Sequence, residues 1–133
     1  MALQGSCLCG GVRFEVPDEF EARTFCHCTT CKKLSGGVGT ANGRVRSDEV
    51  SIIAGEELLR TYQPEEGSSK TFCSVCGSNV FGGGWPESDQ ASVRLSTIDS
   101  PLPTRPKKHI YVRSVASWET LPDDGLERVD GGG

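Results

Sequence analysis

The stretch Phe72-Cys73-Ser74-Val75-Cys76-Gly77-Ser78 decides the fold, because its cysteines need partners from elsewhere in the chain. A Cys-x-x-Cys turn sets two thiolates on one side of a tight bend, at the separation of two corners of a metal tetrahedron. Gly77 follows the second sulfur, where the chain must turn away from the metal with positive φ. Two corners are still missing. The nearest match is at the start of the chain, in Gly5-Ser6-Cys7-Leu8-Cys9-Gly10-Gly11-Val12. Cys7-x-Cys9 on extended backbone puts both side chains on one face and supplies the other pair.

The remaining cysteines form a triplet, Cys26-His27-Cys28-Thr29-Thr30-Cys31-Lys32-Lys33. Seven cysteines therefore divide into four and three. Cys7, Cys9, Cys73 and Cys76 are expected to close a structural zinc site joining the two ends of a long loop, and such a site adds folding free energy directly. Cys26, Cys28 and Cys31 have no fourth protein ligand nearby in sequence. Three ligands leave one position open for water or substrate, the pattern of a site that does chemistry. Two zinc ions per chain are expected.

Other readings of the cysteines compete with this one. Disulfides fit poorly with an odd count and with neighbours as close as Cys7 and Cys9. The triplet could be free thiols beside a single structural zinc. His27 lies between two ligands on a tight chain, so its side chain is expected to project away from the metal into a supporting or solvent role. His109 could close the open site from a distance, but a packed, hydrogen-bonded histidine is the simpler expectation.

Around the cysteines the chain reads as all-β. Val12, Phe14 and Val16 alternate with Arg13 and Glu15, a period of two that marks a half-buried strand ended by Pro17-Asp18. Further strands are expected at 39–45, 50–53, 58–62, 69–72, 79–82, 91–96 and 109–112. The segment 26–33 is expected to be a tight turn with one helical turn. No segment sustains a 3.6-residue apolar period. Residues 82–85 read as a plain turn with a packing tryptophan, Trp118 as core or interface, 125–133 as a tail beyond the core, and its last residues, 129–133, as frayed. One domain is expected over 1–133, with its core at about 5–124.

Composition agrees with this. The 133 residues include 17 glycines and 7 prolines, a turn-rich content that suits short strands. The net charge of −4, with no basic stripe, argues against nucleic acid as a partner. No apolar run reaches the ~20 residues of a membrane helix. The opening MALQGSCLCGG has neither the basic nor the apolar region of a secretory signal, so the expected address is cytoplasmic, where thiols stay reduced.

The three cysteine groups, in this order and spacing, resemble the glutathione-dependent formaldehyde-activating enzyme family, the wider family that includes centromere protein V. The later His109-Ile110-Tyr111, Trp118, Asp123-Asp124 and Ser96-Thr97-Ile98-Asp99 are also similar to the family's C-terminal pattern. The resemblance implies a β-tent fold of antiparallel sheets around a structural zinc, as in methionine sulfoxide reductase B. It implies the same division of ligands, with the catalytic zinc on Cys26, Cys28 and Cys31. It also implies a carbon–sulfur lyase type of enzyme, making S-(hydroxymethyl)glutathione from glutathione and formaldehyde.

Lys70 stands where the family often has arginine. Arg13, Lys70 and Arg94 are candidates for binding glutathione's carboxylates, or else plain surface charges. The alternative function is a zinc-stabilised interaction module without turnover. Sulfoxide reduction would need a nucleophilic cysteine in the later half of the chain, and none follows Cys76.

Overall fold

Alternation along Arg13–Pro17 buries Phe14 and Val16 and leaves Arg13 exposed. This strand, β2, therefore presents one apolar face. It pairs antiparallel with β1 (Ala2–Ser6) on one side and β5 (Ser51–Ala54) on the other, giving a three-stranded sheet. The computed structural model describes residues 2–132.

The second sheet has eight strands: β3 (Ala22–Cys26), β4 (Thr40–Arg46), β6 (Leu59–Tyr62), β7 (Lys70–Cys73), β8 (Asn79–Gly82), β9 (Gln90–Arg94), β10 (Lys108–Ile110) and β11 (Glu127–Arg128). Their spatial order is β11-β10-β3-β4-β9-β8-β7-β6. One helix, α1 (Thr29–Ser35), lies between β3 and β4. The fold is mostly β, in two sheets with one short helix.

The core lies between the sheets. Leu3, Phe14 and Val16 from the small sheet meet Val45, Val80, Phe81 and Val93 from the large one. Phe14 and Phe81 make an edge-to-face pair with ring centroids 4.9 Å apart, and Trp85 packs on Phe81 at 4.6 Å. Burying a phenylalanine is worth about 1.5–3 kcal/mol, so this aromatic column is a principal weld between the sheets. Trp85 behaves as the packing tryptophan expected in the turn after β8.

Several expectations need correction. β3 was not visible in the sequence because its first four residues are half-buried on both faces, which removes the alternation. Antiparallel sheets hold for most pairs, but β10 runs parallel to both β3 and β11. The 91–96 strand stops at Arg94, and Leu95–Thr97 forms a single 3-10 turn.

The tail is not frayed over its described part. β11 pairs with β10, Val129 N–H donates to His109 O at 2.9 Å, and Tyr111 N–H donates to Gly131 O at 2.8 Å. These are main-chain bonds between polar or glycine-rich segments, so no side-chain pattern announces them. Trp118 is 73% exposed, neither core nor covered by another part of the chain.

Candidate metal centres

The first cluster is assembled by two turns. Gly10 N–H donates to Cys7 O in the loop after β1, and Gly77 N–H donates to Cys73 O in the loop after β7. The loops are tied together where Leu8 N–H donates to the Ser78 hydroxyl at 2.9 Å. The sulfurs of Cys7, Cys9, Cys73 and Cys76 all lie within 4.8 Å of one another. Cys7 and Cys9 are 3.5 Å apart, and Cys9 and Cys73 are 3.9 Å apart. With metal–sulfur bonds of about 2.3 Å, a zinc tetrahedron has sulfur–sulfur edges of about 3.8 Å. The donor set and its spacing fit zinc.

Backbone and hydroxyl donors already favour thiolates here. Val12 N–H points at Cys7 Sγ from 3.3 Å, and the Ser78 hydroxyl lies 3.2 Å from Cys76 Sγ. The Ser78 side chain and backbone bring the Cys76 thiol down to about 5. A thiol that loses its proton readily is a better metal ligand.

The second cluster sits where β3 runs into α1. Cys26 is the last residue of β3, and Cys28 caps α1, its sulfur accepting from Cys31 N–H at 3.3 Å. Cys31 occupies the first turn, so one sharp corner delivers all three sulfurs within 4.8 Å of one another. The Cys26 and Cys31 thiols, acting as donors, hold Cys28 far below the ordinary thiol range. Gly39 seals the corner from outside, because a Cβ there would collide with the Cys26 carbonyl oxygen. The structure thus brings together the two cysteine groups expected from sequence, each able to hold a metal ion.

His27 faces away from the three sulfurs. Its Nε2 lies 2.8 Å from Nδ1 of His109, whose Nε2 lies 2.8 Å from Asp124 Oδ2. The carboxylate accepts from His109 Nε2–H, one hydrogen bond joins the two imidazole rings, and His27 Nδ1 lies 3.4 Å from the Val38 carbonyl oxygen. Burial lowers the His27 imidazole and favours the neutral ring. The two imidazole rings lie edge to edge across this bond, their centroids 5.1 Å apart, and the Phe25 ring lies near parallel to His109 at 5.1 Å. His109 is therefore a buried hydrogen-bonded residue, and its role through His27 was not readable from either residue alone.

Lys70 and Arg94 correct another expectation. Neither is a surface charge: Lys70 is 8% exposed and Arg94 6%. Arg94 donates to Asn79 Oδ1 at 2.9 Å and Asn42 Oδ1 at 2.7 Å, while Lys70 Nζ donates to Ser68 O at 2.8 Å. Arg13, on β2, is exposed. A cleft of about 460 Å³ is lined by Cys76 of the first cluster and by Leu34, Gly39, Thr40, Asn79 and Arg94, while Cys26, Cys28 and Cys31 do not line it.

Comparison with known proteins agrees with this geometry. The sequence model of the glutathione-dependent formaldehyde-activating enzyme family matches residues 2–114. The chain belongs to this family. A relative from Halomonas elongata, named "Putative glutathione-dependent formaldehyde-activating enzyme", is 32% identical across 99% of this chain and 88% of its own length. The crystal structure of a Rhodobacter sphaeroides protein superposes with a TM-score of 0.61 at 21% identity, covering 78% of this chain and 98% of that one. That likeness concerns the fold. Among the described residues no helix is long and apolar enough to cross a membrane.

Proposed function

We propose that this member of the family is a zinc-dependent enzyme of the carbon–sulfur lyase type, joining glutathione to formaldehyde as S-(hydroxymethyl)glutathione or reversing that step. The observation that carries the reading is the three-sulfur corner of Cys26, Cys28 and Cys31, a group that no fourth Cys, His, Asp or Glu joins among the described residues. Cys7, Cys9, Cys73 and Cys76 take a structural zinc, and the sheets around it form a β-tent.

Cys26, Cys28 and Cys31 would hold the zinc, which when bound would supply Lewis acidity that lowers a substrate thiol's pKa and favours its nucleophilic thiolate at neutral pH. The chain's own residues do the rest. Cys26, Cys28 and Cys31 remain ligands and do not react. The Asp124–His109–His27 chain fixes the backbone between Cys26 and Cys28, helped by His27 N–H donating to Ile110 O at 3.1 Å. In the chemical step the sulfur lone pair forms a bond to the formaldehyde carbon. The carbonyl π pair moves to oxygen, which takes a proton from water, while the thiol proton leaves to solvent.

A zinc-stabilised interaction module without turnover is the second reading. The exposed Leu8 and Val75 at the tips of the two turns holding the first cluster favour it. Zinc counting and thiol titration on protein purified without added metal separate the two. Two zinc ions per chain and saturable glutathione binding support the enzyme. One zinc ion and no glutathione binding support the module.

A further inference from the structure

Two cations are buried on the side of the large sheet that carries the second cluster, and neither has a carboxylate partner. The ion pairs with a carboxylate among the described residues involve Arg44, Arg46 and His109, not Lys70 or Arg94. The hydrogen bonds of Lys70 and Arg94 go to neutral oxygens of Ser68, Asn42, Asn79 and Ser92. Strand register sets the arrangement. Cys26 lies opposite Thr40, Asn42 follows Thr40 by two residues, and Asn42 lies opposite Arg94, so all four share one face. A Cβ at Gly82 would come within 2.6 Å of Arg94 Nη2, so the guanidinium lies flat against the neighbouring strand.

The opposite charges acting most strongly on both cations are the thiolates of Cys26, Cys28 and Cys31, and the two cations also repel one another. Charge accounting then sets what the site lacks. Three thiolates around a divalent ion carry one net negative charge, and two buried cations exceed it by one. An uncompensated buried charge is costly. The cleft that Arg94 lines also holds the Thr40 hydroxyl, buried with no hydrogen-bond partner.

We propose that Lys70 and Arg94 select the charge of the fourth occupant of the Cys26–Cys28–Cys31 site: an anion, a thiolate in preference to a neutral thiol or water, completes the balance. This rests on the thiol reading above and adds two specificity-determining residues to it. Their work is electrostatic and independent of the carboxylates of glutathione, so a small thiol without carboxylates feels it too.

The test is titration calorimetry on the zinc-loaded full chain with two probes, 2-mercaptoethanol and thiocyanate, in wild type, Lys70→Met, Lys70→Arg and Arg94→Met. Losing a cation that faces a bound anion in a low-dielectric site should weaken both probes about tenfold or more in the methionine variants. Lys70→Arg should stay within about threefold of wild type, because it keeps the charge. Zinc content and melting temperature are read alongside, and Lys70→Met carries the test alone if Arg94→Met does not fold. Affinities unchanged within about twofold in a methionine variant that keeps both zinc ions overturn the proposal. If mercaptoethanol still binds all variants equally, the thiol reading survives without it. If thiocyanate binds with the expected dependence and mercaptoethanol does not bind, the charge selection stands and the thiol reading falls.

Discussion

The two cysteine clusters use the same donor atom for opposite ends. The four-sulfur cluster draws on loops more than sixty residues apart and ties the small sheet's hairpin to β7 and β8. The three-sulfur cluster takes all its donors from one corner of six residues between β3 and α1. A cross-link between distant segments restricts the unfolded chain far more than one within a single turn. With metal bound, the first cluster would therefore brace the fold, while the proposed open position at the second would cost the fold little.

The widest gap between the two should appear in stability. Cys73→Ser removes a fully buried ligand and should cost about 3 kcal/mol or more, a fraction of the ~10–16 kcal/mol that a structural zinc site contributes. Thermal or urea unfolding measures it. Cys28→Ser should instead lower zinc from two ions to one per chain and abolish glutathione binding, with unfolding changed by no more than about 1 kcal/mol. Equal losses of stability in the two variants would erase the distinction.

Gly39→Ala sharpens the contrast without touching a sulfur. The new methyl group presses on the Cys26 carbonyl, so zinc affinity at the second cluster should fall severalfold while the first stays loaded. Chelator competition, read in two phases, reports both.

The smallest effect expected is the pH response of Asp124→Asn. The His109 hydrogen bond holds the Asp124 carboxyl below its ordinary 3.8. A carboxyl lowered on folding stabilises the fold above its unfolded value and loses that contribution as pH falls through the folded one. The melting-temperature difference between wild type and Asp124→Asn should therefore be present at pH 7 and 5 and shrink below pH 4. A difference that persists at pH 3 would assign the effect to packing.

Much of this was legible in the sequence, for identifiable reasons. The cysteine turns advertise themselves by spacing, and β2 by clean alternation. Strands β4 to β9 follow from short apolar runs bounded by glycine and proline, to within a residue or two at most ends. β3 escaped because Arg23 and Thr24 sit half-covered in mid-sheet, where neither face reads as apolar. Lys70 and Arg94 looked like surface charges because burial of a cation depends on its tertiary neighbours. The His27–His109–Asp124 chain joins residues 82 and 15 positions apart, and no local pattern encodes such a meeting.

The last strand also bears on how the chain can be shortened. The family match ends at residue 114, yet β11 and Asp124 lie beyond it. A version cut at that boundary would leave β10 as a bare margin of the eight-stranded sheet, with unsatisfied main-chain groups open to a second copy. Very short terminal strands are a common guard against such edge-to-edge association. The two polar residues of β11, with the Arg128 guanidinium also donating to Pro122 O, occupy that edge, so removing them exposes a template.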